Sequence, residues 1–289
     1  MYQEILLPFD GSDGAADALH HAAEIAHWAD TSIDLLYVAD TALESLTTVG
    51  TDVIDILVQE GEETLKYAGQ TLDALGVSSR SDVVQGNPAP TIADYADRYD
   101  YDLIILPTHG REGVSRYLLG SVTEKVVRLA SVPVLTTRMG SDEKLIFPYQ
   151  DILIATDGSG GATYAAEHGL SLAAAVDSTV HLLSAVEDTS LRPNSRSTIS
   201  GLQREQVATD AIDELASKAE SHGISDIVRH IDHGAPISVL LGTVEANDID
   251  AVVTGTTGRR GSNRILLGSV AERIVRAAPV PVLTVRQAK

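Results

Sequence analysis

The sequence predicts an α/β fold built as two tandem domains, each an open five-stranded parallel sheet with helices on both faces. Three observations lead there. The chain has 289 residues, room for two domains of roughly 100–200 residues with a core each. It also repeats itself: ILLPFDGS at 5–12 returns as ILIATDGS at 152–159, LLGSV at 118–122 returns at 266–270, and VPVLTTR at 132–138 returns as VPVLTVR at 280–286. The offset is 147 for the first pair and 148 for the other two, and so small a slip over so long a period marks duplication rather than chance. Within each copy, short apolar runs alternate with longer stretches of helical periodicity, a pattern that builds parallel sheets covered on both faces. The boundary is expected in MGSDEKLIFPYQ at 139–150, giving domains at 1–140 and 141–289.

The elements follow in order. Ile5–Leu7 is an unbroken apolar run suited to a buried strand, and Gly11-Ser12 then opens an Ala-rich helical pattern reaching about Ala29. Ile33–Val38 reads as the second strand, and Leu65, Ala68, Leu72 and Leu75 recur at helical spacing after it. Val83-Val84 marks a short third strand. Gly86-Asn87-Pro88 supplies a turn and a proline fitted to the first position of the next helix. Leu103–Leu106 is a buried strand, Val122–Leu129 a helix and Val132–Thr136 the last strand. The second copy runs the same way from Ile152 to Val285.

Composition narrows the function. With 21 Lys and Arg against 41 Asp and Glu, the net charge is −20, which opposes the approach of a nucleic-acid backbone. Arg outnumbers Lys 16 to 5, Asp outnumbers Glu 25 to 16, and aromatics are 4%. Such a halophile-like, acidic composition fits a surface that stays solvated at high ionic strength. The absence of cysteine excludes disulfides, thiolate nucleophiles and thiolate metal sites. No apolar run approaches the roughly 20 residues of a membrane span, and MYQEILLPFDGS lacks the features of a secretory signal, so a cytoplasmic location is expected.

Open parallel sheets bind ligands at the carboxyl ends of their strands, where the strand order reverses. In the second copy the fourth strand runs into TGTTGRRGSNRILLGSVAERI from Thr254, in which Gly255, Gly258 and Gly268 are spaced G-x2-G-x9-G with Ser269 after the last. Glycines leaving a strand let backbone N–H groups approach a ligand, and Gly268-Ser269 opens a helix whose N–H groups and dipole suit a phosphate. Between Gly258 and Arg276 stand five cations, Arg259, Arg260, Arg264, Arg273 and Arg276, against Glu272 alone. Cations of that density suit a polyphosphate. The alternative is that these glycines serve only turns and a helix cap.

These residues resemble the universal stress protein (UspA) family, twice over and across essentially the whole chain. The marks are DGS after the first strand, G-x2-G-x9-G-[ST] after the fourth, and the closing PVLT strand. The resemblance implies an adenine-nucleotide-binding, Rossmann-like sheet, and a stress-response sensor or regulator that holds ATP with little or no hydrolysis. Carried over, Asp157 faces the ribose or adenine, and Ala185 offers backbone hydrogen bonds to adenine. Gly255 and Gly258 border ribose and phosphates, and Gly268, Ser269 and Val270 hold the phosphate tail. Ala155 stands where ATP-binding members often carry proline. The first-copy counterparts are Pro8, Asp10, Val38, Gly110, Gly120, Ser121 and Val122, but Pro107 replaces the first motif glycine and removes an N–H donor. Residues 1–140 hold 8 basic and 22 acidic residues, a net of −14, so the first site is expected to be the weaker. The family resemblance also implies that the closing strands pair the two halves as a pseudo-dimer, with a homodimer as a further option.

Other chemistry is thinly represented. His109 has Thr257 as its counterpart, so no shared base is expected there, and His20 and His21 read as surface or helix-face residues. Asp10 and Asp157 suit Mg2+ accompanying the nucleotide, or a helix cap. The chain has no Walker P-loop, nucleophile elbow or paired catalytic acids, so no catalytic or resident-metal residue is nominated. The rival readings are a ligand-free interaction module with vestigial motifs and a nucleotide enzyme on a related fold; the latter would place its phosphate loop after the first strand.

Overall fold

The computed structural model describes residues 2–41, 51–109, 119–138, 145–187, 201–256 and 267–287. It divides into two compact units, Met1–Pro148 and Tyr149–Lys289. Each is an open, fully parallel five-stranded sheet.

The first unit runs β1 (Glu4–Pro8), α1 (Asp13–Ala29), β2 (Ser32–Asp40), α2 (Thr51–Ala74), β3 (Ser79–Gly86), α3 (Pro88–Arg98), β4 (Leu103–Pro107), α4 (Ser121–Leu129) and β5 (Val134–Thr137). Its strand order is β3-β2-β1-β4-β5. The second unit runs β6 (Asp151–Ala155), α5 (Gly160–Val176), β7 (Thr179–Val186), α6 (Gly201–Ser221), β8 (Ile227–His233), α7 (Pro236–Ala246), β9 (Ala251–Gly255), α8 (Ser269–Ala277) and β10 (Val282–Val285). Its order, β8-β7-β6-β9-β10, repeats the first. In both, the order reverses between the first and fourth strands, the place where such sheets open a crevice.

Burial explains the apolar runs. Ile5, Leu6 and Leu7, Leu103 to Leu106, and Ile152, Leu153 and Ile154 are all buried, as central strands of a doubly covered sheet must be. The start of each first strand is held by one carboxylate. Asp102 Oδ2 accepts from the N–H groups of Gln3 and Glu4 at 2.8 and 3.1 Å, and Asp250 Oδ2 accepts from those of Gln150 and Asp151 at 2.7 and 3.1 Å.

Several element limits differ from the sequence reading. The third strand spans Ser79–Gly86 rather than the neighbourhood of Val83-Val84, because it pairs along β2 from Ile33↔Ser79 to Asp40↔Gly86. The fifth strand begins at Val134, not Val132; the intervening Pro133 has no N–H for the ladder, although its carbonyl accepts from Ile104. Leu65, Ala68 and Leu72 face the core, whereas Leu75 is 43% exposed, since α2 stops at Ala74 and Gly76 turns the chain at φ 77°. His21 is buried rather than at the surface and lies edge-on to Phe147, with ring centroids 6.3 Å apart.

Candidate functional site

At the end of β1, Asp10 makes an Asx turn: its Oδ1 accepts from the backbone N–H of Ser12 at 3.0 Å and from the Ser12 hydroxyl at 2.6 Å. The Ser12 hydroxyl in turn accepts from Ala15 N–H and caps α1. The second unit repeats the turn with Asp157 Oδ1 and Ser159 N–H at 3.0 Å, and Ser159 caps α5 through Ala162 N–H. DGS is therefore a turn followed by a helix cap in both copies.

The helices after the fourth strands are built differently. α4 and α8 have Gly120 and Gly268 at the N-cap, with no side-chain cap hydrogen bond. Both glycines are fixed by the strand end instead. Gly120 N–H donates to the Thr108 carbonyl at 2.7 Å, and Gly268 N–H donates to the Thr256 carbonyl at 2.8 Å. Each nine-residue helix thus starts at the strand end with no cap from its N-cap residue, with Ser121 or Ser269 exposed at its first position and Glu124 or Glu272 in its first turn. Such a terminus offers orphan N–H donors and the positive end of a dipole to an anion. α3 and α7 also lack a side-chain cap, but Pro88 and Pro236 start them and remove one N–H each.

Close backbone contact joins these pieces. A Cβ on Gly255 would lie 2.8 Å from the Gly161 carbonyl oxygen, so the missing side chain lets the end of β9 meet the start of α5. In the first unit the equivalent Pro107 carries a Cβ against Gly14, whose own Cβ would lie 3.2 Å from it and 2.5 Å from the His109 carbonyl oxygen. Gly14 and Gly161 repeat at the 147-residue offset of DGS, a signal the sequence reading left unused. The Pro107 carbonyl accepts from the Thr123 hydroxyl at 2.7 Å.

The remaining positions fall around that junction. Pro8 ends β1, pairs with Leu36 and is buried, and Val38 lies two residues further along β2, half-buried. Ala155 pairs with Leu183 at the end of β6, and Ala185 lies two residues further along β7, half-buried. Val122 and Val270 occupy the first turns of α4 and α8. β1 and β4 pair through Ile5↔Leu103 and Leu6↔Ile104, while β6 and β9 pair as far as Ile154↔Val253, so in both units the strands part before their carboxyl ends. Gly110, Gly258, Arg259, Arg260 and Arg264 lie outside the described residues. Of the two remaining cations in the glycine segment, Arg276 pairs with Glu272 along α8 at 2.9 Å, in the last turn rather than the first.

The two junctions differ at one hydroxyl. Thr108 Oγ1 is 3.0 Å from His109 Nδ1. Its counterpart Thr256 is only 4% exposed, and its Oγ1 has no partner among the described residues. Among those residues, no group of three or more His, Asp or Glu gathers as metal ligands, and no helix is long and apolar enough to cross a membrane.

The universal stress protein family model matches residues 1–138 and again 148–286. The chain belongs to the universal stress protein family. A universal stress protein of Methanocaldococcus jannaschii is 34% identical over 146 residues, spanning 50% of this chain and 86% of its own. A universal stress protein of Mycolicibacterium smegmatis is 25% identical over 289 residues, spanning 98% of this chain and 96% of its own. Among solved structures, a universal stress protein from Archaeoglobus fulgidus superposes with a TM-score of 0.77 at 23% identity, over 99% of this chain and 98% of its own. The Archaeoglobus fulgidus protein shares the fold over both copies, the Mycolicibacterium smegmatis relative also spans both, and the Methanocaldococcus jannaschii relative spans about one.

Proposed function

We propose that this universal stress protein is a sensor or regulator that holds ATP, with Mg2+, in the crevice of the second unit. The supporting observation is the α8 N-terminus, left without a side-chain cap by Gly268 and tethered to the strand end by the Thr256 carbonyl. A triphosphate supplies the acceptors that such a terminus lacks. Gly268, Ser269 and Val270 would hold the phosphates, Gly255 and Gly258 would border them, and Asp157 and Ala185 would face the nucleoside. The Thr256 hydroxyl, without a partner among the described residues, adds a donor at the same junction.

The use of the nearby carboxylate supports retention rather than turnover. Asp157 Oδ1 holds the turn that leads to Ser159, a positioning task rather than that of a base activating water. For the first unit, with Pro8, Asp10, Val38, Gly110, Gly120, Ser121 and Val122 in the matching places, we propose weak nucleotide binding or none. Pro107 stands in the glycine position there, Thr108 Oγ1 is engaged by His109, and the surrounding half is the more acidic.

Titration calorimetry of the full chain with ATP and AMP tests this, alongside native mass spectrometry of freshly purified protein. One tight ATP equivalent, bound in preference to AMP, is the expected result. No ATP binding to the folded protein would overturn the reading, and two equal sites would overturn the ranking of the units.

A further inference from the structure

Far from the crevice, three adjacent strands of the second unit carry a chain of titratable groups. Asp151 opens β6, His181 lies near the start of β7, and His230 lies on β8. His181 Nε2 is 3.1 Å from Asp151 Oδ1, and His181 Nδ1 is 3.0 Å from His230 Nε2. The two rings are nearly parallel, at 9°, and His181 is 5% exposed. An ionised carboxylate only accepts, so His181 gives its Nε2–H to Asp151 and keeps a lone pair on Nδ1, which takes the Nε2–H of His230. His181 spends both ring nitrogens, which makes the cluster a relay rather than a metal cage.

The first unit places permanent charges in the same slot. Glu4 and Asp34 stand where Asp151 and His181 stand, both 147 residues earlier, and Asp34 pairs with Leu6 as His181 pairs with Leu153. Arg80 on β3 bridges them, with Nε 2.8 Å from Asp34 and Nη2 3.2 Å from Glu4, and the Tyr101 hydroxyl donates to Asp34 at 2.7 Å. Neither an arginine nor paired carboxylates change charge near neutral pH, whereas imidazoles do.

We propose that Asp151, His181 and His230 form an acid-responsive latch between β7 and β8, which the matching slot of the first unit lacks. The pair accepts one proton, shared along the N···N contact and countered by Asp151. A second proton leaves N–H facing N–H across 3.0 Å with no acceptor between them, and two like charges repel. The surroundings do little to offset it. Asp232 follows two residues along β8 and is exposed, Asp250 is committed to the Gln150 and Asp151 N–H groups, and α7, which packs on β7, brings only Glu245. α6 lies on the opposite face, where Asp213 pairs with Arg229. Burial, and then the charge of His181, hold the His230 imidazole below its ordinary range. The sign follows from that lowering: the unfolded chain takes up the proton first as pH falls, so stability is full above the unfolded histidine value of about 6.5 and is lost below it. This rests on strand pairing alone and does not depend on nucleotide binding.

Hydrogen exchange of the full chain, corrected for intrinsic rates, tests the latch. From about pH 7.5 to about pH 5, protection in peptides covering β7 and β8 should fall by about tenfold or more, while β2 and β3 change little. His230→Gln retains an N–H donor for His181 Nδ1 and should abolish that acid loss, and Asp151→Asn should move it to higher pH. Unchanged β7–β8 protection in the parent, or an equal acid loss in H230Q, would overturn the proposal. If H230Q is already loosened at neutral pH, NMR titration of the parent's histidines decides. Coupled steps for His181 and His230 support the latch, and two independent ordinary titrations refute it.

Discussion

Replacing Gly268 by aspartate should strengthen the fold and weaken the nucleotide site together. Gly268 has φ −64° and ψ 142°, an extended conformation open to any residue, so the substitution brings no backbone strain. An N-cap aspartate accepts from the first-turn N–H groups that now have no side-chain cap, which is worth a few tenths of a kcal/mol over glycine. Its charge at the positive end of the α8 dipole adds about 0.3–1 kcal/mol. The ligand-free chain should therefore gain about 0.5–1 kcal/mol, a rise in Tm of about 1–4 °C. The same carboxylate takes the donors and repels the phosphates. Two charge-assisted hydrogen bonds of about 1.5–3 kcal/mol each correspond to a hundredfold loss of ATP affinity or more, at about 1.4 kcal/mol per decade. Thermal melting without ligand reads the first effect, and titration calorimetry reads the second. Retention of ATP affinity to within about threefold, which is under 1 kcal/mol, would refute the assignment of the α8 terminus as the phosphate site. A less stable variant would show that Gly268 is there for space.

Two further predictions follow from the geometry of each unit. Gly255→Ala places a Cβ 2.8 Å from the Gly161 carbonyl oxygen and should cost about 1–3 kcal/mol by overpacking. Pro107→Ala, at a position that already carries a Cβ, should cost clearly less, and denaturant unfolding of the two variants measures the difference. In the first unit, burial and then the Asp34 hydrogen bond raise the Tyr101 pKa, and burial and then the Asp82 hydrogen bond push Tyr95 up to about 12. The folded chain holds these protons more tightly, so stability is full below the unfolded value near 10 and falls as pH rises above it. Tyr101→Phe should flatten that alkaline loss in a denaturation series from about pH 9 to about pH 12; an unchanged slope would show that the hydroxyl is not the responsible group.

The sequence by itself determined the duplicated α/β fold, because the apolar runs at 5–7, 103–106 and 152–154 are too continuous for any strand but one buried on both faces. It also located the glycine motifs, since their residue types follow from local backbone needs and repeat at nearly one offset. Strand ends were less legible: β3 extends because β2 gives it partners, and β5 starts late because Pro133 cannot donate. Pairing partners far along the chain set those limits, and local pattern does not carry them.

Only the tertiary structure decided what the marked residues touch within the protein. The turn that DGS makes, with Asp157 holding the Ser159 N–H and Ser159 capping α5, is visible only in the fold. The first motif glycine reads as a lost or kept donor until Gly255 is seen against Gly161, a contact between segments more than ninety residues apart in the chain. The histidines at 181 and 230 carry no spacing signal at all. Strand register brings them to 3.0 Å, and a nitrogen–nitrogen contact between strands is fixed by hydrogen-bonded pairing across the sheet, which no local stretch of sequence encodes.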